Sequence, residues 1–182
     1  MITPEFARTM ARYNRWQNRS LLKAANGLSD QARWQDGGVF FRSVAETLNH
    51  ILWDDRVWLA RLRGDDDTAR QIGDGHPYTG NPRHWREFMR ERVALDDEIV
   101  ALADGLTEED IIRPVAWVRG SEPAETSFGF NFAHMVNHQT HHRGQVHALL
   151  TRAGAQPEPT DLQMLYAART DSSFLQEIKS AG

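Results

Sequence analysis

The sequence predicts an all-α protein, a four-helix bundle with a short helix appended at its C-terminal end. Three observations point there: apolar residues recur at helical steps through four long stretches, start and stop residues bracket those stretches, and two long connections separate them. A chain of 182 residues can bury a core of its own, and a single domain over residues 1–182 is the expectation.

The first helix is expected from about Thr3 to Asn26. Thr3 can cap it, Pro4 suits the first helical position, and Gly27 follows as a stop. Phe6, Met10, Tyr13, Leu21 and Ala24 fall at three- and four-residue steps or multiples of them. The second helix begins near Ser43, where Glu46 completes a capping-box pattern, and continues through "VAETLNHILWDDRVWLARLR" to Gly64. The third spans roughly Pro82 to Asp104 behind a capping candidate, Asn81, and the fourth runs from around Phe130 to Gly154. A shorter fifth is expected between Asp161 and Lys179.

The connections cover residues 64–81 and 105–129. Loops of that length can carry a chain across the end of a bundle, so successive helices need not be antiparallel neighbours. Within the second, "PVAWV" and "TSFGF" are expected to pair as a small ribbon.

The fourth helix holds an unusual segment, "NHQTHHRGQ" at residues 137–145, between the apolar "FAHMV" and "VHALL". At about 100° per residue, His138 and His142 share a stripe with Met135, Val146 and Leu149, which should face inward. A buried neutral imidazole needs partners for both ring nitrogens or it costs free energy. A divalent metal satisfies one nitrogen on each ring, and the i,i+4 spacing sets the two side chains one turn apart on one face. His138 and His142 are therefore candidate metal ligands. His50, in "ETLNHILWDD", is the candidate to meet them across the bundle. Hydrogen-bonded core histidines with no metal are the plainer reading of the same residues.

The other imidazoles carry less. His134 and His141 lie within about 60° of His138 and could be ligands instead, but nearer the edge of the stripe they read first as supporting or structural; His147 falls on the solvent side, and His76 and His84 stand in or beside a loop. Asp54 has three readings: a fourth ligand, a partner that orients the His50 ring, or a carboxylate on a solvated face, with the last preferred. Gln139 occupies the place where the zinc-peptidase pattern H-E-x-x-H needs a glutamate base. Glutamine cannot take a proton from metal-bound water, so a peptidase of that design is not expected.

Composition removes several classes of function. Lys plus Arg is 21 against 25 Asp plus Glu, a net charge of −4, which gives no polyanion-binding surface and no expected nucleic-acid partner. The chain has no cysteine, which excludes disulfides, thiolate ligands and cysteine nucleophiles from the chain itself. No apolar run resembles a signal peptide or reaches bilayer-spanning length, so a cytoplasmic protein without a membrane partner is expected.

An inward histidine in a second helix, followed much later by "NHQTHHRGQVHALLTRAG", resembles the DinB/YfiT-like family of bacterial metal-binding four-helix bundles. The likeness covers nearly the whole chain in helix order and loop placement. Its specific part is the "NHxxHHRGQ" segment. The resemblance implies an up-down-down-up bundle, a metal triad on His50, His138 and His142, and a homodimer formed through helix faces. It further implies a divalent ion, zinc or nickel, and a low-molecular-weight thiol such as bacillithiol, mycothiol or glutathione as the group the metal activates.

Members often carry glutamate at the position of Gln139. Gln145, on the ligand face, is expected to hydrogen-bond a ligand ring. Arg143 reads as a surface ion pair, or else as an anchor for an acidic group or another helix. Trp53 and Trp58 read as core, or else as the walls of a pocket. The function these features imply is a metal-dependent enzyme that transfers a small thiol to a small electrophilic substrate. The alternative is a non-catalytic metal-binding or ligand-sensing protein. Imidazole accepts zinc, nickel, manganese and iron alike, so the ligand set does not choose among them.

Overall fold

Two of the long helices begin on a side-chain cap that the sequence nominates. In the computed structural model, which describes residues 1–73, 85–119 and 121–166, α1 spans Pro4–Asn26, with Thr3 Oγ1 accepting from the Phe6 amide at 3.1 Å. Ser29 caps the short α2, Asp30–Trp34. The next long helix, α3 (Val44–Leu62), opens on a reciprocal cap: Ser43 Oγ accepts from the Glu46 amide and donates to Glu46 Oε2.

Two short helices interrupt the connections that were expected to be loop. They are α4, Asp66–Gly73, and α6, Glu108–Ile112, the latter on a Thr107–Asp110 capping box. Between them lies α5, Trp85–Asp104; its expected start at Pro82 and cap at Asn81 fall outside the described residues.

The ribbon exists, but its second strand differs from the expectation. Strand β1, Pro114–Arg119, pairs antiparallel with β2, Glu122–Ser127, so that Val115 faces Thr126 and Trp117 faces Ala124. "TSFGF" therefore contributes only its first two residues to a strand. Ser127 Oγ accepts from the Phe130 amide and starts α7, Phe128–Arg152, two residues ahead of the expected Phe130. Phe128 and Phe132, one helical turn apart on the same face of α7, are both fully buried.

Residue pairs fix the course of the chain. Asn18 meets Asp96 and Asn26 meets Trp85, so α1 and α5 are antiparallel. Arg56 pairs with Glu91 and Arg63 with Glu98, so α3 and α5 are parallel. His50 meets His138 while Trp58 meets His134, so α3 and α7 are antiparallel. The result is up-down-down-up, with α1 packed on α5 and α7, and α3 packed on the same two. Consecutive α1 and α3 thus sit on a diagonal, which the intervening residues span. Ile51, Leu52, Leu62, Ile99, Met135 and Leu150 fill the centre.

After α7 the chain reverses at Gly154, whose φ of 83° glycine adopts at little cost. It returns along α1: Ser20 Oγ accepts from the Glu158 amide, Gln17 Nε2 donates to Pro159 O, and Tyr13 OH donates to Thr160 O. A 3-10 turn, Leu162–Tyr166, occupies the start of the expected fifth helix, and its continuation to Lys179 lies outside the described residues. Among the described residues no helix is long and apolar enough to cross a membrane.

Candidate metal centre

The antiparallel α3–α7 pair carries all three candidate ligands. His50 Nε2 lies 3.2 Å from His138 Nε2, and His142 Nε2 lies 3.2 Å from the same atom. Ligand atoms of the three residues all fall within 4.8 Å of one another. His50 and His142 are buried and His138 is partly so.

The outer nitrogens decide what the inner ones are. His142 Nδ1 sits 2.8 Å from Gln145 Oε1, which can only accept, so this nitrogen carries the proton. His138 Nδ1 faces Asp54 Oδ2 at 3.0 Å, and a carboxylate again calls for a proton on the nitrogen. In the neutral rings, both Nε2 atoms therefore present bare lone pairs to each other at 3.2 Å. That arrangement is repulsive unless a cation lies between them. Zinc–imidazole bonds of about 2.0–2.1 Å in a tetrahedron set neighbouring nitrogens about 3.3–3.4 Å apart. The donor set fits a divalent ion.

Burial pulls the His138 imidazolium down, but the facing Asp54 and the charge of Asp55 outweigh it, and the group ends above the ordinary histidine value. His142 ends below it, through burial first and then the neighbouring His138 and His141, against the contact to Gln145. The expected contact of Gln145 with a ligand ring is present. Asp54, read as a solvated carboxylate, instead serves His138 rather than His50. It approaches the ring from the side away from the Nε2 atoms.

Phe41 forms part of the wall, and the sequence reading missed it. Its ring stacks on His50 at 3.8 Å between centroids and meets His142 edge-on at 5.3 Å. The turn that places it runs from Val39 to Arg42, with Arg42 at φ 65°, a left-handed conformation that a non-glycine residue adopts at a cost. The available signal was an aromatic pair, Phe40 and Phe41, one residue short of the Ser43 cap.

Trp58 is buried against Trp117 and His134, as a core residue should be, whereas the Trp53 indole donates to Ile72 O beside the His50 ring. His134 and His141 are exposed, and His141 touches Gln145. His76 and His84 lie outside the described residues.

Gln139 points away from the centre. Its Nε2 donates to both oxygens of the buried Asp55 at 2.8 Å, and its Oε1 accepts from Arg143 Nη1 at 2.5 Å. Arg92, only 1% exposed, bridges Asp55 at 2.5 Å and Asp96 at 2.7 Å, and Asn18 donates to Asp96 at 2.8 Å. Two carboxylates and two guanidinium groups thus share one buried network across four helices. Burial pushes the Asp55 carboxyl up to about 6 despite Arg92 beside it. The hint in the sequence was a charged pair four residues apart, Arg92 and Asp96, on an otherwise apolar face.

Arg143 was expected to pair at the surface, and the structure corrects this. The residue is 5% exposed, bonded to Gln139 and Thr140, with its guanidinium 5.6 Å from the Tyr13 ring centre. Its face of α7 packs on α1 rather than meeting water, so the helix has two covered faces instead of one. His147 is likewise not free in solvent: its Nδ1 is buried and has no hydrogen-bond partner among the described residues.

The model of the DinB family matches residues 1–176. The chain is also similar to a protein named Protein DinB from Bacillus subtilis (strain 168). The two are 23% identical over 176 residues, which cover 93% of this chain and 99% of the relative. No solved structure matches the chain.

Proposed function

The chain belongs to the DinB family, and on that premise we propose that His50, His138 and His142 hold a divalent metal, zinc or nickel, that activates a low-molecular-weight thiol for transfer to a small electrophile. The observation that carries this reading is the set of Nε2 atoms facing one another while Gln145 and Asp54 engage the outer nitrogens of two rings. An ion held by three neutral imidazoles keeps its full charge and favours the ionised form of a thiol beside it.

The residues around the centre have separate tasks in this scheme. Asp54 and Gln145 hold two rings in the tautomer that binds metal. Phe41 shields His50 and keeps bulk water from one side of the site. Since the chain has no cysteine, the sulfur comes from a diffusible thiol.

The position of Asp54 favours this enzyme over a metal store with a saturated ion. Its carboxylate addresses Nδ1 of His138, on the outer edge of the ring, and so does not close the coordination sphere. The test is turnover of thiol–electrophile pairs by metal-loaded protein. Wild type should outpace His142→Ala for at least one pair; equal rates for every pair would end the transferase reading.

A further inference from the structure

On the far side of α7 from the histidines, a hollow of about 460 Å³ lies between α1 and α7. That volume is in the range of small-molecule sites, about 300–1,000 Å³. Tyr13, Gln17 and Leu21 line it from α1, Arg143, Gly144 and His147 from α7, and Thr160 of the returning segment closes one side. The walls are fixed, because the side chains of Tyr13 and Gln17 are tied to carbonyls of that segment.

We infer that this hollow binds a small organic anion, with the Arg143 guanidinium as the anchor for its carboxylate or phosphate group. Three observations converge on it. Arg143 is 5% exposed, yet among the described residues its hydrogen bonds go only to the neutral Gln139 Oε1 and Thr140 Oγ1. Among the described residues no carboxylate lies within ion-pair distance of it, and Asp55, beyond Gln139, is already bound by Arg92. A guanidinium has five N–H donors in a planar fork suited to an oxyanion, and this one has spare donors at the wall of a cavity.

The second observation is His147 Nδ1, buried without a partner among the described residues, on a residue that lines the same hollow one turn from Arg143. A bound anion, or its hydroxyl, supplies what that nitrogen lacks. The third is open space. A Cβ built on Gly144 meets no atom within 4 Å. The Tyr13 ring and Leu21 give the apolar part of a ligand a surface to rest on. This site shares no ligand residue with the histidine centre and stands whether or not that centre is catalytic.

The experiment is titration calorimetry of the full chain at constant ionic strength with acetate, benzoate, succinate and inorganic phosphate. Wild type should show one saturable site for at least one probe, and whether carboxylates or phosphate bind identifies the class. Arg143→Met should weaken that binding at least tenfold. Gly144→Leu should do the same by filling the hollow, while leaving Arg143, the fold and the bound metal as they are. No saturable heat with any probe overturns the assignment. So does binding that survives either substitution undiminished, including a weak salt effect shared by all three proteins.

Discussion

Asp54 Oδ2 stands 3.0 Å from His138 Nδ1, on the edge of the ring opposite the point where the three imidazoles meet. The carboxylate therefore acts on the centre through one ring. Replacing it with asparagine should lower metal affinity at neutral pH about 10–100-fold, as losses of such supporting partners do. Because the carboxylate holds His138 above the ordinary histidine value, its removal should also lower the pH at which the metal-free His138 ring takes up a proton. Competition titrations with a chromogenic chelator across pH would read both. An unchanged affinity would show that Asp54 supports nothing.

The centre joins α3 to α7, so the ion should stabilise the fold. Untagged protein should contain about one divalent ion per chain by elemental analysis, and chelator should lower its melting temperature. His50→Ala and His142→Ala should each bring the metal to background and abolish the chelator effect. A melting temperature indifferent to chelator in wild type would return the three histidines to the role of hydrogen-bonded core.

Asp55 predicts a pH dependence of opposite sense to ordinary acid unfolding. Its folded carboxyl is raised to about 6, whereas an unfolded aspartate titrates near about 3.9. The folded chain holds the proton more tightly, so this group contributes stability that is fully present below the unfolded value and lost as pH rises through about 6. The span corresponds to about 3 kcal/mol at most. Urea unfolding of wild type and Asp55→Asn should show their stability difference moving against wild type between about pH 4 and pH 6.5. A difference flat with pH would contradict the raised value.

Arg92 is the hub of the same network. Arg92→Met leaves Asp55 and Asp96 buried without their cation and should cost about 3–5 kcal/mol in urea unfolding. Replacing all three by apolar residues of matching volume should cost much less, since the penalty comes from stranded charge rather than lost attraction. Equal losses would assign the effect to packing.

The parts that were legible in the sequence obey local rules. Caps at Thr3 and Ser43, and the helical spacing of His138 and His142, depend on neighbours within one or two turns. The site residues that escaped depend on distant partners. Arg143 looked exposed because a wheel around one helix shows a single inward stripe, whereas α7 is covered on two sides. Asp55 and Arg92 carry no local sign of burial: charge is usually outside, and only their meeting across α3 and α5 makes burial tolerable. Phe41 comes to the site by a turn that no periodicity describes.

His50 and His138 are separated by 88 positions. A ribosome therefore releases the first imidazole long before its partners, and for most of translation the nascent chain offers at most one of the three rings. If the three histidines hold a metal as proposed, loading must await the emergence of α7. Scarcity of the ion would then tell on newly made molecules first, while copies already filled keep theirs.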